Sequence, residues 1–144
     1  ICDDVKAWDQ HMPLYLRDIC MWWFHKEFGI PPESDWGMQI YAVLTSLFQA
    51  IWLCEDYSFV AEWMPSGTWL TAMLNTIWNS VSNRYIFYLL VPPGHKFEEH
   101  VEASYHGDDT LQAVSDHISQ WYNGITRAKI GHSLFGWKVT PWNK

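Results

Sequence analysis

The spacing of hydrophobic and polar positions changes several times along this chain, and each change predicts an element. Residues 1–6 read as a short strand that ends in acids. Residues 13–28 carry a helical pattern stopped by Gly29-Ile30-Pro31-Pro32. Ser34 or Asp35 is placed to cap a second helix running to about Cys54. Pro65-Ser66-Gly67 reads as a turn, after which Ser66 or Thr68 can cap a long helix that fades before Pro92-Pro93-Gly94. Residues 101–106 and 110–114 alternate as two short strands around Gly107-Asp108-Asp109, a hairpin signal. Asp116 is expected to cap a last helix to about Ile130, and Gly131 and Gly136 open an irregular end. There is no internal repeat, low-complexity segment or linker, so the pattern predicts one domain of mixed α and β.

Composition narrows this picture. The chain has 144 residues, 49% of them hydrophobic and 17% charged, enough apolar material to bury a core. Two stretches, between Asp35 and Glu55 and between Glu62 and Arg84, lack charge over a membrane-spanning length. Gly37, Gln39 and Gln49 in the first, and Pro65, Gly67 and three asparagines in the second, argue for buried helices instead. The net charge of −7 excludes nucleic-acid binding through the overall field, because phosphate contacts need clustered Lys and Arg. Cys2, Cys20 and Cys54 are odd in number and form no CxxC pair, which excludes a disulfide scaffold and suits a reducing compartment. The 11 tryptophans fall at helical spacings that predict core positions. The strand-like start and the unclosed end read as those of a piece cut from a longer chain.

Candidate chemistry lies in the acids. Asp4 and Asp9 stand at the end of the first strand, and Asp108 and Asp109 at the hairpin tip. If that strand pairs beside the hairpin, Asp4 and Asp108 become neighbours, and carboxylates that close call for cations between them. Two hard cations roughly 3.5–4 Å apart would stabilise the attacking and leaving oxygens of an in-line phosphoryl displacement. On the long helix, Thr71, Asn75, Asn79 and Asn83 recur every four residues along one stripe. Hydroxyl and amide groups there, without charges, suit a sugar held in a semi-buried cleft.

Taken in order, Asp4 with Asp9, Pro65-Ser66-Gly67 with Thr71, Asn75 and Asn79, Gly107-Asp108-Asp109, and Lys144 resemble motifs A, B, C and D of viral RNA-dependent RNA polymerases. Within them the likeness is to the picornavirus-like group of positive-strand RNA viruses. The resemblance covers essentially the whole chain, with motif A near 4–9, motif B near 63–83, motif C near 104–113 and motif D near 117–144. It implies an α+β fold, the ferredoxin/RRM-like polymerase palm, with a small antiparallel sheet and helices packed on one face. Fingers and thumb would be absent, and the isolated fragment is expected to be inactive because its own acidic surface repels RNA.

The resemblance also implies roles. Asp4 and Asp108 correspond to the two metal-binding aspartates and Asp109 to an auxiliary one, holding two magnesium ions, or manganese in their place. Asp9 and Asn75 would read the ribose of the incoming nucleotide, supported by Ser66, Gly67 and Thr71. Lys144 would protonate the pyrophosphate leaving group, help typically worth about 10²–10⁴ in rate. The implied partners are an RNA template and primer, ribonucleoside triphosphates, and the fingers and thumb of the same polyprotein-derived chain. The implied location is the host cytoplasm, in a membrane-associated replication complex. Trp63, where the family usually has glycine, and His106, where it often has tyrosine, depart from the pattern without touching a metal ligand. A reverse transcriptase-like palm and a non-catalytic metal-binding or scaffold module are the alternatives. The pairing of Asp9 with Asn75 argues for ribonucleotides. Magnesium-dependent nucleotide incorporation, lost on Asp108→Ala, separates an enzyme from a scaffold.

Overall fold

A computed structural model of the chain describes residues 1–61 and 67–141, apart from the side chains of Asp3, Asp4, Asp9, Cys54 and Pro141. The chain divides into two compact units, one of Ile1–His11 with Ala72–Lys144, the other of Met12–Thr71.

The first unit is built on a four-stranded antiparallel sheet. Its strands are β1 (Cys2–Lys6), β4 (Val101–His106), β5 (Asp109–Val114) and β6 (Lys138–Pro141), in the order β4-β5-β1-β6. β4 and β5 form the expected hairpin, with His106 opposite Asp109 and Gly107-Asp108 as a two-residue loop. Gly107 takes φ +61°, a left-handed value that glycine adopts at no steric cost and that primed hairpin turns require. β1 inserts between β5 and β6, pairing Asp3 with Thr110 and Asp4 with Thr140. β6 was not foreseen: the sequence read as irregular after Gly136.

Helix α3 (Thr71–Leu90) and helix α5 (Gly124–Phe135) complete the unit, with the one-turn helix α4 (Phe97–His100) leading into β4. The buried face of α3 is Leu74, Asn75, Trp78, Asn79, Ser82, Asn83, Ile86 and Phe87, a stripe at helical spacing in which polar and apolar residues share the core. α5 begins later than expected. Residues 116–121 form turns, and Asn123 caps the helix at Gly124. Asn123 accepts from the backbone of Ile125 and Thr126 while the Thr126 hydroxyl accepts from the Asn123 N–H, a reciprocal cap that Asp116 could not match. Phe87 meets Phe97 and Tyr122 with ring centroids 5.3 and 5.4 Å apart. Trp137 meets Trp8 and Phe135, each at 5.2 Å.

In the second unit, helix α1 (Leu16–Phe28) packs on helix α2 (Asp35–Phe48) around Leu16, Cys20, Met21, Leu44 and Phe48. Ser34 caps α2, its hydroxyl accepting from the Gly37 N–H at 3.1 Å. α2 stops at Phe48, not near Cys54. Strands β2 (Ala50–Cys54) and β3 (Tyr57–Ala61) follow as a hairpin around Glu55-Asp56. Ile51, Trp52, Phe59 and Val60 are β-branched and aromatic residues that favour strands; the charge-free run disguises Ile51 and Trp52 as the end of the helix, and the sequence reading assigns no element to Phe59 and Val60. The core reading of the tryptophans holds for Trp8, Trp78 and Trp137, whereas Trp22, Trp36 and Trp69 are exposed. Among the described residues no helix is long and apolar enough to cross a membrane.

Candidate active site

The hairpin tip and the end of β1 come to the same edge of the sheet. β1 runs antiparallel to β5 with Cys2 opposite Leu111 and Asp3 opposite Thr110. One further step along that register sets the backbone of Asp4 level with Asp109. Asp108 sits in the turn, half-buried, and Asp109 opens β5, exposed. The 3-10 turn Trp8–His11, which carries Asp9, follows β1 directly. The side chains of Asp4 and Asp9 lie outside the described residues, as do Ser66, Trp63 and Lys144.

The turn is held by α3. The Asn79 Nδ2 donates to the carbonyls of Gly107, Asp108 and Asp109 at 3.2, 3.1 and 3.1 Å. The Gly107 N–H donates to the Thr76 hydroxyl at 2.8 Å, and Thr110 Oγ1 donates to Asn79 Oδ1 at 2.8 Å. Behind them Asn83 Nδ2 donates to Asn79 Oδ1 at 2.7 Å. Arg127 Nε donates to Asn83 Oδ1, Tyr122 donates to Gln112 at 3.0 Å, and Gln112 donates to the Tyr105 hydroxyl at 2.9 Å. Burial pushes the Tyr105 phenol up, with the Gln112 hydrogen bond pulling the other way.

The polar stripe on α3 therefore divides. Asn79 and Asn83 are fully buried and bonded to the hairpin and to each other, so they do not line a sugar cleft. Their place on the stripe was legible, but their target was not, because four-residue spacing gives a face and not what covers it. Asn75 lies one turn earlier, also buried, and Thr71 one turn before that. Thr71 accepts from the Thr68 N–H at 3.0 Å and shares a 2.8 Å hydroxyl contact with Thr68, so it closes the entry to the helix. Gly67 is exposed with φ +87°. Thr76, Gln112, Tyr122 and Arg127 had no sequence signal of their own. A cavity of about 700 Å³ opens at the opposite end of the β4–β5 hairpin, lined by Arg84, Glu98, His100 and Ser115 among others, and takes no part in this edge.

A family model described as viral RNA-dependent RNA polymerase matches residues 1–144, the whole chain. The chain belongs to the viral RNA-dependent RNA polymerase family. Consistent with that, it is 28% identical over 134 residues to the genome polyprotein of encephalomyocarditis virus, covering 93% of this chain and 5% of that one. It is 32% identical over 91 residues to the RNA1 polyprotein of Cycas necrotic stunt virus, covering 61% of this chain and 4% of that one. In fold it resembles a Sicinivirus 3Dpol RNA-dependent RNA polymerase, with a TM-score of 0.73 at 20% identity over 99% of this chain and 29% of that one. The chain thus spans a small part of the viral polyproteins it matches and under a third of the solved polymerase. That likeness fits the expected α+β palm, a small antiparallel sheet with helices.

In this polymerase family member, among the described residues, no three His, Cys, Asp or Glu side chains cluster as a metal site. The donor set nevertheless suits hard cations: the acids of β1 and of the Gly107-Asp108-Asp109 turn offer carboxylate oxygens, the ligands that magnesium and manganese prefer.

Proposed function

We propose that this segment is the catalytic palm core of a viral RNA polymerase, which joins ribonucleotides to the 3′ end of an RNA primer under the direction of a template. The reading is carried by one observation: β1 pairs with β5, and its register leads Asp4 to the acidic tip of the β4–β5 hairpin. In the reaction the primer 3′-hydroxyl gives up its proton to solvent and its oxygen attacks the α-phosphorus of a ribonucleoside triphosphate. A new P–O bond forms, the bond to the β-phosphate oxygen breaks, and pyrophosphate leaves with that electron pair. Two divalent cations, when bound, would stabilise the charge on the attacking and leaving oxygens.

The chain's own residues then have distinct tasks. Asp4 and Asp108 would hold the cations, with Asp109 as an auxiliary ligand. Asp9 and Asn75 would read the ribose 2′-hydroxyl, with Ser66, Gly67 and Thr71 supporting that recognition. Lys144 would give a proton to the departing pyrophosphate. Template, primer and the basic channel for them would come with the fingers and thumb, which this −7 chain does not supply. The reading carries with it a location in the host cytoplasm, within a membrane-associated replication complex.

The test is magnesium-dependent incorporation of labelled ribonucleotides by the full-length polymerase chain. Asp108→Asn, close to isosteric, should reduce incorporation to background while leaving the thermal unfolding profile unchanged. Full activity in that variant would remove the assigned role.

A further inference from the structure

We infer that Asn79 is the positioning residue of the acidic turn, and that Arg127 sets the direction of the Asn79 carboxamide through Asn83. The inference rests on the polymerase reading above, since it concerns how the proposed metal ligands are held.

The argument is one of donors and acceptors. A guanidinium has only donors and a main-chain carbonyl only an acceptor, whereas an asparagine amide has one of each and so has a direction. Arg127 is fully buried and its Nε donates to Asn83 Oδ1. Tyr122, whose single proton goes to Gln112 at 3.0 Å, stands 3.4 Å from the same oxygen and adds no second donor to it. The Asn83 amino group must then face away, and it donates to both the main-chain and side-chain oxygens of Asn79, each at 2.7 Å. With Thr110 Oγ1 also donating to Asn79 Oδ1 at 2.8 Å, the Asn79 amino group can only face the turn. There it meets the carbonyls of Gly107, Asp108 and Asp109.

Both ends of the relay demand the same orientation. Reversing either asparagine would set oxygen against oxygen inside a buried network, where an unmade bond costs most. Thr76 adds an independent hold, accepting from the Gly107 N–H while donating to the Ala72 carbonyl at 2.8 Å. The turn is thereby fixed through its main chain, and the register of Asp108 and Asp109 against β1 follows from α3 and α5.

The experiment uses the full-length polymerase chain with Asn79→Ala, Arg127→Met and Thr76→Val, beside Asp108→Asn. Amide hydrogen exchange over residues 105–110 and the magnesium concentration for half-maximal incorporation are measured on each. Asn79→Ala should raise exchange at the turn at least about tenfold. It should raise the magnesium requirement about 10–100-fold, the usual range for a group that orients metal ligands, with KM for the nucleotide unchanged at saturating magnesium. Arg127→Met and Thr76→Val should move both readouts the same way by smaller factors. A general loss of stability would speed exchange throughout the sheet and lower the active fraction without shifting the magnesium requirement; that result overturns the inference. So does a folded Asn79→Ala with wild-type values, whereas wild-type values in Thr76→Val overturn only the hold by Thr76. If Asn79→Ala does not fold, Asn79→Ser decides, because its hydroxyl still offers an acceptor to Thr110 and Asn83 while the amino donor to the three carbonyls is lost. Wild-type exchange in Arg127→Met overturns the relay from Arg127. Full incorporation by Asp108→Asn instead refutes the reading of the site, and the exchange measurements still judge the clamp.

Discussion

Gly131→Ala places a methyl group where the structure has no room for one. Gly131 lies inside α5, and a Cβ there would stand 2.2 Å from Trp137 Cε3, 2.8 Å from Cζ3 and 2.9 Å from Cδ2. Carbon atoms pack at about 3.5–4.0 Å, so the indole would have to move by more than about 1 Å. It has nowhere to go cheaply: Trp137 is fully buried, bounded by Trp8 and Phe135 and by the Arg127 guanidinium 5.2 Å from its ring. Overpacking of this kind costs about 1–3 kcal/mol, and the near-complete confinement puts the site at the upper end. Replacing a helical glycine by alanine returns about 1 kcal/mol through helix propensity. The net expectation is a loss of about 2 kcal/mol, or roughly 4–8 °C in melting temperature for a body of about this size. Gly124→Ala, at the open first residue of α5 with nothing near its would-be Cβ, is the control and should be neutral or slightly stabilising. Thermal unfolding followed by near-ultraviolet circular dichroism reads both. Adding Trp137→Leu to Gly131→Ala should recover part of the loss, since contacting sites couple by about 0.5–3 kcal/mol. A Gly131→Ala protein that melts at or above the wild type refutes the reasoning.

Two further outcomes are expected. Asn75→Ala in the full-length chain should narrow the preference for ribonucleotides over deoxyribonucleotides more than it slows ribonucleotide incorporation; competition between the two triphosphates measures this, and unchanged discrimination removes the role. Burial pushes the Cys20 thiol up to about 12, from 9.0. The native state thus keeps a proton that the unfolded chain releases above pH 9, so this contribution to stability is complete below pH 9 and falls away between pH 9 and 12. Alkylation at pH 8 should label the exposed Cys2 quickly and Cys20 only on unfolding, and Cys20→Ala should soften the alkaline loss; rapid native labelling of Cys20 contradicts its burial.

Local rules made some of this molecule readable and left the rest to tertiary context. β1, the β4–β5 hairpin and α3 each carry a complete signal within a few residues: a glycine turn, an alternation, a helix closed by prolines. The β2–β3 hairpin failed for a physical reason. Its large apolar residues are exposed, Leu53 at 80% and Tyr57 at 78%, so neither strand shows the alternation that a half-buried strand writes into sequence. β5 inverts the rule outright: Thr110 and Gln112 are buried while Leu111 is 61% exposed. The polar network beneath the sheet explains that inversion, and it joins residues up to 44 positions apart, a separation over which no local pattern operates. The pairing of β1 beside the hairpin follows the sequence expectation and brings the acids of the two to one edge; cation binding there belongs to the proposed function. The amides that hold the turn were misread because asparagine on a helix stripe suits several tasks equally.

The choice of amides for that task follows from the acids themselves. A lysine or arginine reaching for the turn would pair with the carboxylates of Asp108 and Asp109 and compete with any cation they are to bind. Asn79 binds the three carbonyl oxygens of the turn instead, a neutral hold on the main chain that brings no positive charge to the carboxylates. The positive charge that orients the relay, Arg127, is kept two carboxamides away and buried against Trp137. On the same helix, four residues earlier, Asn75 is also neutral and buried. A single run of asparagines on α3 can therefore hold the acidic edge from behind and, in the proposed function, read the sugar in front of it, with no charged group among the buried residues of that helix. That arrangement accounts for a helix whose core face is half polar and yet carries no charge.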